Sequence, residues 1–244
     1  MNTKKPLTKT QKTASTFSLW LLRVMSLLLA GALVYQSWFL LHVVYWRSHN
    51  PATSAFMQQR LTQLREHHPK AELQYRWISY ERISPHLKQA VVAAEDARFM
   101  RHTGFDFNAI EIAWKKNLEQ RKWAAGGSTI SQQLAKNLLL SSDKTLGRKL
   151  QEVLITLMLE QFLSKERILE LYLNVIEWGE GVFGAEAAAR HYFNVPASAL
   201  SARQAALLAS MIPNPRYYDK NRNTPRLLNK SRIIESRMRV AKVP

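Results

Sequence analysis

From Val24 to Trp46 the chain is apolar except at Ser26, Gln36, Ser37 and His42. Wound as an α-helix, this run is roughly 34 Å long at about 1.5 Å per residue, enough to cross a hydrocarbon core of about 30 Å. Trp20, Trp38, Tyr45 and Trp46 fit part of an interfacial aromatic belt. Ala30-Gly31-Ala32 resembles a signal cleavage site, but the apolar run continues to Trp46, longer than a signal core. The pattern therefore predicts an uncleaved anchor over residues 19–46. Lys4, Lys5, Lys9, Lys12 and Arg23 precede the span, and Arg47, Arg60 and Arg65 follow it. The positive-inside tendency places residues 1–18 in the cytoplasm and the main domain outside.

Beyond the anchor, residues 47–72 read as a connector with some helical character, punctuated by Pro51 and Pro69. Tyr75, Trp77, Ile78 and Tyr80 suggest a short extended segment over 73–83. After that the apolar spacing is helical almost throughout. Ser84-Pro85 is an N-cap followed by proline at the first helical position. That helix is expected to run through Leu87, Ala90, Val91 and Ala94 and to close near Gly104. Phe107, Ile110, Trp114 and Leu118 make one apolar face, with Lys115, Lys116, Arg121 and Lys122 nearby. Ser128 or Thr129 caps the next helix, which reaches about Leu140. Further helices follow Asp143 and Ser164, and Ser201-Ala202-Arg203-Gln204 is a capping box for a helix that Pro213 ends. With few strand signals and no repeat, the class is mainly α. The main domain is expected over 73–218, followed by a basic C-terminal tail over 219–244.

Composition narrows the partners. The 244 residues leave room for one domain behind the anchor, and 46% hydrophobic content suits a folded chain. There is no cysteine, which excludes disulfides, cysteine zinc sites and a thiol nucleophile. The formal net charge of +17 points to an anionic partner: nucleic acid, anionic lipid or a phosphorylated substrate. No acidic residue precedes Glu66, and the stretch from Arg216 to Lys242 is strongly basic. The basic segments lack the aromatic interleaving of single-strand binders and flank a span, so no nucleic-acid partner is expected.

Some short motifs match by accident. Gly179-Glu180-Gly181-Val182-Phe183-Gly184 has dinucleotide-fingerprint spacing but follows a helix without a βαβ unit. Ser141-Ser142-Asp143-Lys144 has the serine-lysine spacing of penicillin-binding enzymes but lacks the companion Lys-Thr-Gly. No HExxH, Walker loop or zinc spacing is present.

Glu95 ends the run Ala90-Val91-Val92-Ala93-Ala94, where packed small apolar groups would cost a carboxylate its hydration and make it a proton acceptor near neutral pH. The alternative is a helix-end carboxylate bonded to Arg98 or His102. Arg148, Lys149 and Glu152 share a helix face, as an ion pair or as a phosphate cradle. Ser128, Gln132 and Lys136 sit at helical spacing. Asn174 and Glu177 follow an apolar helix.

Taken in order, these segments resemble the peptidoglycan glycosyltransferases (glycosyltransferase family 51), and the monofunctional biosynthetic form most of all. Glu95-Asp96-Ala97-Arg98-Phe99-Met100-Arg101-His102-Thr103-Gly104 resembles the first signature, and Gly126 to Leu138 the second. Arg148-Lys149-Leu150-Gln151-Glu152 resembles the third, and Arg167 to Asn174 the fourth. Gly184-Ala185-Glu186-Ala187-Ala188 with Tyr192-Phe193, then Ala205 to Pro215, resembles the remainder. The likeness covers about Tyr75 to Tyr218. One departure is Lys144, where members often carry arginine and a forked phosphate contact.

The resemblance implies a lysozyme-like fold of two lobes with a cleft. It implies polymerisation of lipid II outside the cytoplasmic membrane, from a growing glycan on undecaprenyl pyrophosphate to the 4-hydroxyl of lipid II, with inversion. Glu95 and Glu152 are the implied catalytic residues. The implied substrate-binding residues are Asp96, Phe99, His102, Ser128, Thr129, Gln132, Gln133, Lys136, Asn137, Arg148, Lys149 and Asn174. A divalent cation, Mg or Mn, is a possible addition near Glu152, with no organic cofactor. Membrane lipids and cell-wall synthesis or division proteins are the further partners expected. Two other readings stand beside this one: a membrane-bound lysozyme-like lytic enzyme, which would not need all of Lys136, Arg148, Lys149 and Glu152, and a non-catalytic scaffold of the wall machinery.

Overall fold

A computed structural model describes residues 9–120, 127–143 and 145–244. In chain order its elements are α1 (Lys9–Tyr45), α2 (Ala55–His67), β1 (Gln74–Tyr75), α3 (Pro85–Glu95), α4 (Phe107–Gln120), α5 (Ile130–Leu139), α6 (Leu146–Phe162), α7 (Lys165–Val175), β2 (Glu177–Gly179), β3 (Val182–Phe183), α8 (Ala185–Phe193), α9 (Ala202–Met211), α10 (Pro215–Lys220) and α11 (Pro225–Met238). The mainly α expectation holds.

The chain divides into two compact units, 1–42 and 43–244. In the first, α1 carries a stretch long and apolar enough to cross a membrane, Leu19–Tyr45, with Leu27, Leu28, Val34 and Leu41 all exposed. Such exposure would be costly in water and is neutral against lipid tails.

In the second unit, the helix starts follow the predicted caps. Ser84 Oγ accepts from the His86 amide ahead of Pro85, and Ser164 Oγ accepts from the Arg167 amide. Ser201 and Gln204 close the expected capping box. Thr129, rather than Ser128, caps α5 and makes a second capping box with Gln132. Each cap satisfies amides that the first turn leaves unpaired, for about 1 kcal/mol.

Two helix groups form the core. In one, α3, α9 and α11 pack against each other. In the other, α5 packs against α6, α7 and α2. Leu87, Val91, Leu134, Ile155, Leu169 and Tyr172 are wholly buried between them and their neighbours. A small sheet of order β1-β3-β2, parallel between β1 and β3 and antiparallel between β2 and β3, closes one end. The hairpin β2–β3 occupies the segment with accidental dinucleotide spacing. Its Gly184 has φ +82°, and a Cβ there would meet the Asn174 carbonyl oxygen at 2.8 Å, so glycine is required for the turn into α8.

Three expectations need correction. The helix after Ser84 ends at Glu95, capped by Asp96, and a 3-10 turn over Phe99–Arg101 leads to Gly104. Residues 219–244 are not a tail: α11 buries Leu227, Ser231, Ile234 and Met238 and packs on α3 and α9. The helical part expected in the connector is α2, but it does more than link: its Met57 and Arg60 are buried and it packs on α5. Lys144, Arg121, Lys122, Trp123 and Gly126 lie outside the described residues.

Candidate active site

The two helix groups meet at the last residue of α3. There Glu95 Oε2 accepts a hydrogen bond from Gln133 Nε2 of α5 at 2.9 Å. The Gln133 amide is itself oriented, because Tyr172 Oη of α7 donates to its Oε1 at 2.8 Å. An amide pinned at its oxygen must present its nitrogen to the carboxylate. Burial raises the Glu95 pKa, and the nearby Asp96 charge adds to the rise. The Gln133 bond, Lys230 and Lys136 oppose it. Burial also pushes up the Tyr172 phenol, so it stays a neutral donor beside Glu95 and Asp96.

Asp96 faces the other way and acts as a clamp. Its carboxylate meets His102 Nε2 at 2.9 Å and accepts from the Ile130 amide, the first of α5, at 3.0 Å. Thr129 Oγ1 donates to the Gly104 carbonyl at 2.6 Å. These bonds fasten the loop after Glu95 to the start of α5. Gly104 sits at φ +93°, with Thr156 Cγ2 at 2.9 Å from where a Cβ would be.

Beyond Glu95 lies a cation cluster. On α6, Arg148 pairs with Glu152 Oε2 at 2.7 Å and Lys149 pairs with Oε1. Lys136 of α5 lies within the electrostatic reach of Glu152, Arg148, Lys149 and Glu95. Burial lowers its pKa first, with the two arginine and lysine neighbours adding and the two carboxylates opposing. Lys136 thus bridges the base and the cluster electrostatically. Gln133, Lys136 and Asn137 line a pocket with Phe56, Arg60, Asn214 and Arg216. Ser128 and Thr129 line a second pocket, with Glu95, Asp96 and Arg98.

Some predicted site residues sit elsewhere. Asn174 is wholly buried, and its amide clamps both the Ile78 amide and the Ile78 carbonyl at 2.9 Å. It fixes the chain before α3 rather than lining a pocket. Gln132 accepts from the Thr129 amide within the cap, so Gln133, not Gln132, faces the base. Phe99 is core, with the Lys165 ammonium 4.4 Å from its ring centre. His102 serves the Asp96 clamp. Asn137 donates back to the Gln133 carbonyl while lining the pocket.

Residues not assigned to the site from the sequence also belong here. Arg60 of α2 pairs with Glu177 of β2 at 2.9 Å, both buried. Burial raises the Glu177 pKa, and Arg60 opposes the rise. Tyr172 orients Gln133, and Arg216 adds a cation. Pro213-Asn214-Pro215-Arg216, two prolines alternating with polar residues after an apolar helix, was the available signal for that edge.

A divalent cation at Glu152 does not fit the residues present. Both oxygens of that carboxylate face cations, and no group of three or more His, Asp or Glu gathers among the described residues. Two or more further anionic or neutral oxygen donors would be needed.

The chain matches the family described as Transglycosylase over residues 59–239. It is 67% identical to a protein of Nitrosomonas eutropha named biosynthetic peptidoglycan transglycosylase, over 98% of this chain and 99% of that one. Proteins with the same name from Nitrosomonas europaea and Laribacter hongkongensis are 66% and 59% identical, covering 99% and 92% of this chain and 98% and 99% of theirs.

Proposed function

The chain belongs to the transglycosylase family, and from that membership we propose that it is a membrane-anchored peptidoglycan glycan-chain polymerase that uses lipid II. The observation that supports the proposal is a buried carboxylate, Glu95, bonded to Gln133 of α5, which lines one pocket with Lys136 three residues on, a cation that interacts electrostatically with Glu95 and with Arg148, Lys149 and Glu152. A base on one side and gathered positive charge on the other suit attack by a hydroxyl with departure of a pyrophosphate.

Glu95 takes the proton of the acceptor 4-hydroxyl as that oxygen bonds to the anomeric carbon of the growing chain. The bond from that carbon to the undecaprenyl pyrophosphate breaks on the opposite face, which inverts the centre. Negative charge grows on the leaving pyrophosphate, and Lys136, Arg148 and Lys149 stabilise it. Glu152 holds the last two in place. A leaving group whose charge is met by fixed cations needs no strong general acid.

The anchor supports the same reading, because a lipid-linked substrate requires an enzyme at the bilayer. Positive charges ahead of the apolar run that starts at Val24 favour an N-terminus in the cytoplasm and a catalytic unit on the outer face. Phe107, Ile112, Trp114 and Leu118 of α4 are exposed apolar residues suited to the membrane surface. Membrane lipids are therefore partners, and wall-building or division proteins are the expected recruiters.

The test is polymerisation of purified labelled lipid II. Glycan chains from the wild type and almost none from Glu95→Gln support the reading. A folded wild type that makes no polymer, or one that cleaves finished wall instead, refutes it.

A further inference from the structure

Beside its buried stripe, α11 carries a second face. Arg226, Asn229, Lys230 and Ile233 recur along it at steps of three, one and three residues, which keeps them neighbours on the helix surface. With Tyr218 of α10 and Pro213 they line an open cavity of about 360 Å³. Small-molecule sites span roughly 300–1,000 Å³. The cavity touches the pocket of Gln133 and Lys136 only at Pro213, and it shares no residue with the pocket of Glu95 and Asp96.

The polar groups around this cavity lack protein partners. Among the described residues, the Lys230 ammonium, the Arg226 guanidinium, the Asn229 amide and the Tyr218 hydroxyl make no hydrogen bond or ion pair. An adjoining cavity shares Tyr218 and Arg226, and Thr224 lines it. The Thr224 hydroxyl oxygen is buried without a partner, although the residue stands where it could cap α11. A buried polar group left unpaired is costly, so such an atom points to a partner from outside the chain. Other shielded cations of this protein are satisfied internally. Arg60 pairs with Glu177 at 2.9 Å, Lys165 pairs with Glu160 at 2.8 Å, and the Lys88 ammonium lies 3.7 Å from the Tyr80 ring centre.

No acid balances the pair of cations in the cavity. Glu235, the acid of α11, does not line it. Asp219, next to Tyr218, is engaged by the Tyr192 hydroxyl at 2.9 Å and by the Glu180 amide at 3.1 Å. Lys230 is half-buried, and burial lowers its pKa. Arg226, one turn earlier, lowers it further, while Glu95 of the packed α3 opposes from beyond ion-pairing distance. An anion between Arg226 and Lys230 would turn that repulsion into shared attraction.

We propose that this cavity is a binding site for an anionic phosphate ester, its phosphate held by Arg226 and Lys230 and its carbon skeleton set against Pro213 and Ile233. Ammonium, guanidinium, amide and phenol together offer more donors than the two oxygens of a carboxylate can use, whereas a phosphate presents further oxygens. The cavity exceeds what a bare ion would fill, and its apolar side gives the rest of the molecule a surface. The same chemistry is supplied by the headgroup of an anionic phospholipid, at hand for an anchored protein, and by a soluble phosphate ester. The proposal stands apart from the base and its pockets, so it does not depend on the polymerase reading.

The experiment is calorimetric titration of the full chain in a non-ionic detergent. The probes are glycerol phosphate and dihexanoyl phosphatidylglycerol, with dihexanoyl phosphatidylcholine as the zwitterionic blank. Wild type is compared with Arg226→Gln, Lys230→Met and a control carrying Arg232→Gln and Arg237→Gln, exposed cations of the same helix outside the cavity. At least one anionic probe is expected to bind the wild type. Arg226→Gln and Lys230→Met should each weaken that binding by on the order of tenfold, and the control should not. Binding of phosphatidylglycerol alone assigns the site to a lipid headgroup, and binding of glycerol phosphate alone assigns it to a soluble ester. No binding of either probe at millimolar concentration overturns the proposal. Equal weakening in the control overturns it too, because the net charge then does the binding, as does acetate binding as tightly as the phosphates. Should Lys230→Met fail to fold, Arg226→Gln decides, since Arg226 is exposed and packs in no core.

Discussion

Replacing Glu95 with glutamine should destroy polymerisation and stabilise the fold. Burial raises the Glu95 pKa above its ordinary value. The folded chain therefore holds this proton over a pH range in which the unfolded chain has released it. Stability falls as pH rises through that range, and the full penalty is present above the folded pKa. Glutamine never ionises, and its carbonyl can accept the same 2.9 Å bond from Gln133. What is relieved is the desolvation of a charge, partly offset by exchanging a charge-assisted hydrogen bond for a neutral one. The net gain is on the order of 1 kcal/mol at neutral pH. For a chain of this size that is a Tm increase of roughly 2–4 °C. The assay is thermal unfolding of wild type and Glu95→Gln in one detergent, from neutral pH downward. The gain should vanish below about pH 4, where both states of the wild type carry the proton. A Glu95→Gln protein less stable than wild type at neutral pH, or a gain that persists unchanged in acid, would refute the reasoning.

Other substitutions separate clamp, orientation and membrane contact. Asp96→Asn leaves one acceptor oxygen for two partners, His102 and the Ile130 amide. It should cost about 1–3 kcal/mol in unfolding experiments and lower polymerisation more than tenfold. Tyr172→Phe removes the donor that orients Gln133. A loss of about 1 kcal/mol, read as a several-fold fall in kcat with little change in KM, is expected in the lipid II assay. Ile112→Glu with Leu118→Glu should reduce vesicle sedimentation of a chain beginning at residue 47 more than tenfold, since each exposed side chain is worth about 1.5–3 kcal/mol on burial. Unchanged sedimentation would remove α4 from the membrane surface.

The helix starts were legible because a cap is a local device. Ser84, Ser164 and Ser201 each act within three residues, and the chain displays them as printed. Glu95 was legible from its apolar approach. What was not legible depends on distance. Asn174 looks like a site residue until its amide is found clamping Ile78, far back along the chain. Tyr172 gains its meaning only from its bond to Gln133, on another helix. Helix α11 was hidden by its charge: its basic surface read as a tail, although Leu227, Ser231, Ile234 and Met238 are spaced four, three and four apart. The β2–β3 hairpin is too short for alternation to register.

The bond from Thr129 to the Gly104 carbonyl has a consequence for how such a protein can change over time. It draws together the two ends of the stretch 105–128, which includes α4 with its outward-facing Phe107, Ile112 and Leu118. With its ends tied, and Glu95 held by bonds outside it, this stretch resembles a cassette in a fixed socket. Its outward side chains such as Phe107 and Leu118 can drift to suit a different bilayer, whereas Asp106, Asn108, Ala109, Ile112 and Ser128 cannot, because they line a pocket with Glu95. Variation in lipid environment and constancy of chemistry are thus assigned to separate faces of one stretch.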